Sequence, residues 1–238
     1  MKITIVISVI LLAFVGYFAF FTKEATLETE NTIPISSDFL SMGPEIAALP
    51  SQNISDDENS GLLYMREEEK LARDVYITLY KKWNLPIFDN ISQSEQTHTE
   101  SVRTVLIKYS IQDPVTDDAV GVFKNTDLKN LYNDLIKRGL LSVNDALTVG
   151  ALIEDLDIND LQEQIAKTDN EDISLVYENL LRGSRNHLRS FVGQLASRNI
   201  TYKPEYITQE ELDSILSTPK ENGSDGSTRG WVESENRL

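Results

Sequence analysis

The chain has 238 residues, of which 40% are hydrophobic and 25% charged, and these proportions are ordinary for a globular protein. Its formal net charge of −16 argues against a nucleic-acid partner, because phosphate binding depends on clustered lysine and arginine. The absence of cysteine excludes thiolate metal sites, iron–sulfur clusters and disulfides, so any bound metal must use carboxylates and imidazoles, which suit iron, manganese or zinc.

The first segment of the chain has the length and composition of a membrane-spanning helix. Residues 3–21 are uncharged and predominantly apolar, and as a helix they span about 28 Å, close to the hydrocarbon thickness of a bilayer. A cleavable signal peptide normally ends in small residues at a cleavage site, and no clear site of that kind follows the run. We therefore predict that residues 1–22 are a single-pass anchor in the cell membrane, with the soluble domain outside the cytoplasm. If this segment is a signal peptide that is cleaved, the protein is secreted.

The remaining chain divides into a tether, a helical domain and a tail. Residues 23–54 are polar and carry three prolines, which indicates a tether with some local structure around residues 46–49. Residues 55–217 have the periodicity of a helical domain. Residues 218–238 are rich in glycine, serine and charged residues, and we expect a disordered tail.

Caps and prolines set the expected helix bounds within the domain. The predicted helices span 56–83, 92–109, 127–138, 143–165 with room for a break near Asp157, and 172–198, followed by a short one after Thr208. Capping boxes are expected at the pairs Ser55 and Glu58, Ser92 and Glu95, Ser142 and Asp145, and Thr208 and Glu211.

The order and spacing of these helices predict the topology. The first two main helices are joined by a short link, as are the last two, and a crossover of more than about thirty residues with its own short helix separates the two pairs. This arrangement is typical of a four-helix bundle with one long crossover, as in ferritin-like folds. The predicted fold class is therefore all-α, a ferritin-like bundle preceded by a transmembrane helix.

Several charged side chains fall on the apolar stripes that should face the bundle interior. Glu95 and His98 are three residues apart and therefore share a helix face. Glu69 is expected beside the stripe, at the surface, where it can pair with Arg73. Buried carboxylates are costly unless they are paired or bound to a cation, so a metal site is favoured. The candidate metal ligands are Glu68, Glu95, His98, Glu154, Asp157 and His187.

Each candidate also has a simpler explanation. An inward histidine is often a hydrogen-bonded core residue, Glu95 can serve its capping box, and Asp157 can cap a following helical segment. The alternative to a metal enzyme is therefore a non-enzymatic helical module with a metal-free polar core or a single structural cation. A zinc hydrolase is a poorer candidate, because two histidines on separate helices beside many carboxylates suit iron or manganese better.

Four segments carry a resemblance to a known family. In order along the chain they are Arg66–Tyr76, Ser94–His98, Gly150–Ile158 and Gly183–Arg189. They resemble a family of uncharacterised prokaryotic proteins, DUF2202, which is grouped with the ferritin-like superfamily. The resemblance covers about residues 58–216.

The resemblance implies a di-iron or di-manganese carboxylate centre that reacts with O₂ or peroxide, in an oxidase or an iron-handling protein. Members of the superfamily use one glutamate from each of two helices and a Glu-x-x-His motif from each of the other two. Glu68 and Glu154 match the single glutamates, and Glu95 with His98 matches one motif. His187 matches the second histidine, but Ser184 stands where its glutamate is expected. Either Asp157 replaces that glutamate, or the second metal is weakly held, or only one metal binds; a homodimer is left open.

Overall fold

The structure, a computed structural model, describes residues 45–222, and all regular secondary structure within that range is helical. The prediction of an all-helical domain is thus confirmed. A short helical segment at 45–48 precedes the main helices, at the place where local structure was expected in the tether. The main helices are α1 (Asp56–Trp83), α2 (Pro86–Lys108), α3 (Thr126–Gly139), α4 (Val143–Ile165), α5 (Glu171–Ala196) and α6 (Gln209–Ser217).

The start of α1 shows how local sequence sets a helix boundary. The Glu58 amide donates to Ser55 Oγ over 3.2 Å, and Glu58 Oε2 accepts from the Ser55 amide over 2.8 Å. The predicted capping box is therefore present, and both bounds of α1 match the prediction. At the other end Asn84 adopts a left-handed conformation (φ 51°), which asparagine tolerates better than most residues.

Three details of the predicted helices are wrong. The second helix begins at Pro86 rather than near Ser92, because proline fits the first helical position, where its missing N–H has no partner to lose. Ser92 lies inside that helix and donates to the Asp89 carbonyl, so it forms no capping box with Glu95. The fourth predicted helix continues unbroken past Asp157, whose side chain is buried.

The four long helices pack as two pairs. α1 lies along α2 after a link of residues 84–85, and α4 lies along α5 after a link of residues 166–170. The pairs join through α1 with α4 and α2 with α5, and α3 packs on α1 and α4. The aromatic side chains of Tyr76, Phe88 and Phe191 contact one another in the shared core.

The long connection between α2 and α4 covers the outer side of α1. Lys70 donates to the Ala119 carbonyl over 3.0 Å, and Glu67 accepts hydrogen bonds from the amides of Lys124 and Asn125. As a result the middle of α1 is buried on nearly every side. Charged residues of α1 that lie outside its apolar stripe are therefore also buried, and some of them reach the candidate site.

The predicted anchor (1–22) and the tail from residue 223 lie outside the described residues. Among residues 45–222, no helix combines the length and the apolar character needed to cross a membrane. Residues 218–222 lie against α5, where Glu221 forms ion pairs with Arg185 (2.5 Å) and Arg189 (2.9 Å).

Candidate metal centre

Glu95 of α2 lies between the two histidines of the chain. One of its oxygens is 2.8 Å from Nδ1 of His98, one turn further along the same helix, and the other is 2.8 Å from Nδ1 of His187 on α5. These three residues offer ligand atoms within 4.8 Å of one another. The structure therefore brings together the spacing motif of α2 and a histidine 92 positions away from Glu95.

Glu154 of α4 completes the environment of His187. Its Oε2 atom lies 3.4 Å from His187 Nδ1, and its Oε1 atom accepts a hydrogen bond of 2.5 Å from the Tyr76 hydroxyl. Tyr76 also donates to the Gly150 carbonyl over 3.3 Å. The buried tyrosine thus holds one oxygen of Glu154 and leaves the other directed at the histidine.

Glu69 of α1 is a further neighbour of His98, and the sequence-based prediction missed it. Its Oε2 atom lies 3.2 Å from His98 Nδ1, and the residue is 1% exposed. The expected surface pair of Glu69 with Arg73 is wrong, because Arg73 instead pairs with Asp74 and Asp118. The only sequence signal was the run of three glutamates at 67–69, which fits a helix buried on more than one side.

Glu68 and Asp157 are buried beside this group but are not part of its closest set. The Tyr64 hydroxyl lies 3.4 Å from Glu68 Oε1 and 3.2 Å from an Asp160 oxygen. The Ser184 hydroxyl donates to Asp157 Oδ2. Ser184, which replaces the expected glutamate of α5, therefore holds a carboxylate supplied by α4. Asp157 is the carboxylate that was predicted to replace that glutamate, and its role as a metal ligand stays a prediction.

Unpartnered polar atoms concentrate at this cluster. A buried polar atom without a partner is costly, and native proteins contain few of them. Glu95 Oε1 and His187 Nδ1 lie close together but lack the alignment of a hydrogen bond. Five atoms of the cluster are buried without a hydrogen-bond partner in the described part of the chain: Glu68 Oε2, Glu69 Oε1, Glu95 Oε1, Asp157 Oδ1 and His187 Nδ1. A set of carboxylate oxygens with an imidazole nitrogen fits a bound transition-metal cation.

Most carboxyl groups of the cluster are shifted toward their neutral form. Burial raises the pKa of Glu69 to about 8, although the charge of His98 opposes the shift. Burial likewise raises the pKa values of Glu68, Glu154 and Asp157, and neighbouring carboxylates add to the increase at each of them. Without a cation, these groups keep protons that a metal ion would displace.

Glu95 behaves in the opposite way, as the counter-ion of both histidines. Burial favours its neutral form, but the charges of His98 and His187 outweigh burial and hold its pKa well below the usual value. Although burial opposes it, the charge of Glu95 raises the pKa of His187 to about 9 and that of His98 well above its usual value. The metal-free centre is thus one carboxylate between two imidazolium groups.

Both imidazole rings extend from the carboxylate cluster toward the outside of the α2–α5 pair. They stack with centroids 5.4 Å apart, and His187 Nε2 lies 3.0 Å from Ser94 Oγ. Gly183 of α5 passes so close to His98 that a Cβ atom there would lie 2.5 Å from Nε2. A glycine at this position therefore makes room for the ring.

Comparison with known proteins places this domain in a family. The model of a family described as "Uncharacterized protein domain (DUF2202)" matches residues 58–219. The chain is 56% identical over 178 residues to the uncharacterised protein MJ0754 of Methanocaldococcus jannaschii, an alignment that covers 75% of this chain and 96% of that protein. It is also similar to the crystal structure of the hypothetical protein MJ0754, with a TM-score of 0.72, 56% identity, and coverage of 73% of this chain and 99% of that one. The chain therefore belongs to the DUF2202 family.

Proposed function

We propose that this protein is a metal-dependent oxidoreductase or iron-handling protein with a dinuclear iron or manganese centre inside a ferritin-like bundle. The observation that carries the proposal is the group of five buried ligand atoms without a hydrogen-bond partner, of which Glu95 Oε1 and His187 Nδ1 face each other as an ion pair. The pairing of the long helices, with α3 in the connection between the pairs, supports the ferritin-like topology. The uncharged run at 3–21 supports a membrane-anchored, extracytoplasmic location.

The residues divide into a nitrogen-containing half and an oxygen-only half. Glu95, His98 and His187, with Glu154 and Glu69 beside them, would hold one ion. Glu68 and Asp157 would supply oxygen ligands to a second ion. When bound, a pair of iron or manganese ions supplies one-electron redox chemistry with O₂ or peroxide.

The protein's own contribution is to orient these ligands. Tyr76 and Tyr64 hold single oxygens of Glu154 and Glu68, and the Ser184 hydroxyl holds Asp157. Outer hydrogen bonds of this kind fix the orientation of metal ligands and tune their basicity. Because the ligands come from four helices that pack on one another, the centre requires the folded bundle.

Metal content tests the proposal directly. Full-length protein loaded anaerobically with Fe(II) or Mn(II) and then freed of excess metal should retain two ions per chain by elemental analysis. We expect Asp157→Asn to retain about one, because it removes a ligand charge from the oxygen-only half. Protein that retains no metal under any of these conditions would contradict the proposal.

The affinity for Mn²⁺ should increase with pH. In the metal-free protein the pKa of Glu69 is about 8 and that of His187 about 9, so both groups hold protons at pH 7. Metal binding must displace those protons, so a higher pH removes the competition and strengthens binding. We expect about a tenfold gain per pH unit for each proton displaced between pH 7 and 9. Calorimetry in buffers of different ionisation enthalpy counts the protons, and a heat independent of buffer would refute this expectation.

One observation favours the alternative, a metal-free polar core in a helical module without enzymatic activity. Glu95 forms an ion pair with each of the two imidazolium groups, and these pairs stand without a metal cation. This alternative leaves Glu68 Oε2, Glu69 Oε1 and Asp157 Oδ1 without partners. The metal analysis separates the two proposals.

A further inference from the structure

A large cleft borders the candidate centre between α2 and α5. Its volume is about 1010 Å³, and both histidines line it, each with 11% of its side-chain surface exposed. Their Nδ1 atoms contact the carboxylates, whereas Nε2 of His187 contacts Ser94, another residue of the cleft wall. The two imidazole rings thus stand between the cleft and the carboxylate cluster.

Small residues on both helices keep this cleft open. Ser94 and Ser101 of α2 line it opposite Gly183, Ser190 and Gly193 of α5. A Cβ atom added at Gly193 would meet nothing within 4 Å. The volume is that of a typical pocket for an organic molecule, roughly 300–1,000 Å³, and it exceeds what a metal ion or O₂ requires.

The charge of the cleft differs from that of the whole chain. The chain has 38 acidic and 22 basic residues. Among the described residues, the cleft is lined by three basic side chains, Arg182, Arg189 and Lys220, and by one carboxylate, Glu221. That carboxylate already pairs with Arg189 and Arg185. The remaining charge of the cleft is therefore positive.

Arg182 is the cation best placed to bind a ligand. It lies in α5 directly before Gly183, where an added Cβ atom would lie 2.5 Å from His98 Nε2. Within residues 45–222 its guanidinium makes no ion pair, and its hydrogen-bond partner is the Asn179 side chain. A guanidinium without a carboxylate partner presents donors in a planar fork that matches a carboxylate or a phosphate.

We propose that the cleft binds a small molecule that carries a carboxylate or phosphate group, with Arg182 as its counter-ion. Positive charge repels divalent cations, so the cleft is unsuited to metal entry and suited to an anionic ligand. The amide side chain of Asn90 supplies a further hydrogen-bonding group in the wall. The claim that this ligand is the substrate of an oxidoreductase rests on the proposed function. The claim that the cleft binds such a ligand does not.

Nuclear magnetic resonance of the two histidine rings tests this proposal on the metal-free, full-length protein. The chain has only two histidines, and both line the cleft. Acetate, inorganic phosphate and acetamide, the neutral isostere of acetate, are titrated separately at constant ionic strength. We expect saturable shifts of the ring signals with acetate or phosphate and binding of acetamide that is weaker by at least about tenfold. The stronger of the two anions identifies the group that the ligand carries.

Two variants complete the test. Arg182→Gln should weaken anion binding by at least about tenfold, because it removes the charge-assisted hydrogen bonds. Arg138→Gln, which neutralises an exposed arginine of α3 that pairs with Glu205, should bind the anions as the parent protein does. The proposal is overturned if neither anion shifts the ring signals, if acetamide binds as well as acetate, or if Arg182→Gln has no effect. Because this titration needs no metal, its outcome is independent of the metal analysis.

Discussion

Replacement of Glu95 by glutamine is expected to abolish metal retention at the histidine-containing half of the centre. Glu95 is the one carboxylate that contacts both imidazoles, each at 2.8 Å. Glutamine keeps the size of the side chain but removes the charge that the cation and both histidines require. Elemental analysis after anaerobic loading measures the loss, and retention of two ions per chain by the variant would contradict the assignment.

The same substitution should also destabilise the metal-free protein. Without Glu95, two buried imidazolium groups lose their shared counter-ion, and removal of one partner of a buried ion pair costs roughly 3–5 kcal/mol. We therefore expect a decrease of about 3 kcal/mol in the free energy of unfolding at pH 7, and lower pKa values for His98 and His187. Denaturant unfolding and histidine resonance titrations provide the two measurements.

Glu100→Gln is the matched control for this prediction. Glu100 is on the same helix, but its carboxylate is 30% exposed. It pairs with Arg103 at 3.0 Å and lies 3.7 Å from Arg66, whose closer partner is Asp113 at 3.1 Å. A surface pair of this kind contributes about 0–1 kcal/mol. The control should therefore keep its metal and nearly all of its stability. Equal effects in both variants would show that the loss of any negative charge on α2, rather than the position of Glu95, causes them.

The sequence predicts local features of this fold well because they depend on neighbouring residues. The capping box of Ser55 and the start of α1 follow from side chains within one turn of the helix start. The spacing of Glu95 and His98 likewise places both on one face of α2 before any tertiary contact is known. These predictions need only the helical period.

Other features depend on contacts that are distant in the chain. Glu69 was predicted at the surface because the helical stripe argument assumes one buried face, whereas α1 also packs on α2, where Glu69 meets His98. Spacing along a helix likewise gives no means of seeing that His187 shares Glu95 with His98. The hydrogen bond from Ser184 to Asp157 joins α5 and α4, and spacing along either helix does not reveal it.

Gly150→Ala and Gly193→Ala should change stability in opposite directions, although both introduce one methyl group into a long helix. At Gly150 the added Cβ atom would lie 2.4 Å from a ring carbon of Phe191. That ring is fully buried against Tyr76 and Phe88, with centroid distances of 5.3 and 5.7 Å, so it has no space to move. Forcing extra atoms into a packed core costs about 1–3 kcal/mol, occasionally more.

At Gly193 the methyl group meets no atom within 4 Å, and alanine stabilises a helix interior by about 0.5–1 kcal/mol relative to glycine.

The same pair of variants tests whether α4 and α5 must approach this closely for the centre to form. Tyr76 donates to the Gly150 carbonyl and to Glu154, so separation of α4 from Phe191 also displaces a carboxylate that faces His187. Gly150→Ala should therefore lower both the free energy of unfolding and the metal content, whereas Gly193→Ala should raise the first and leave the second unchanged. Equal stability of the two variants in denaturant unfolding would show that the helix pair is less tightly packed than the contact of Gly150 with Phe191 indicates. If Gly150→Ala instead loses stability but keeps its full metal content, the close contact between the helices is not required for the metal centre.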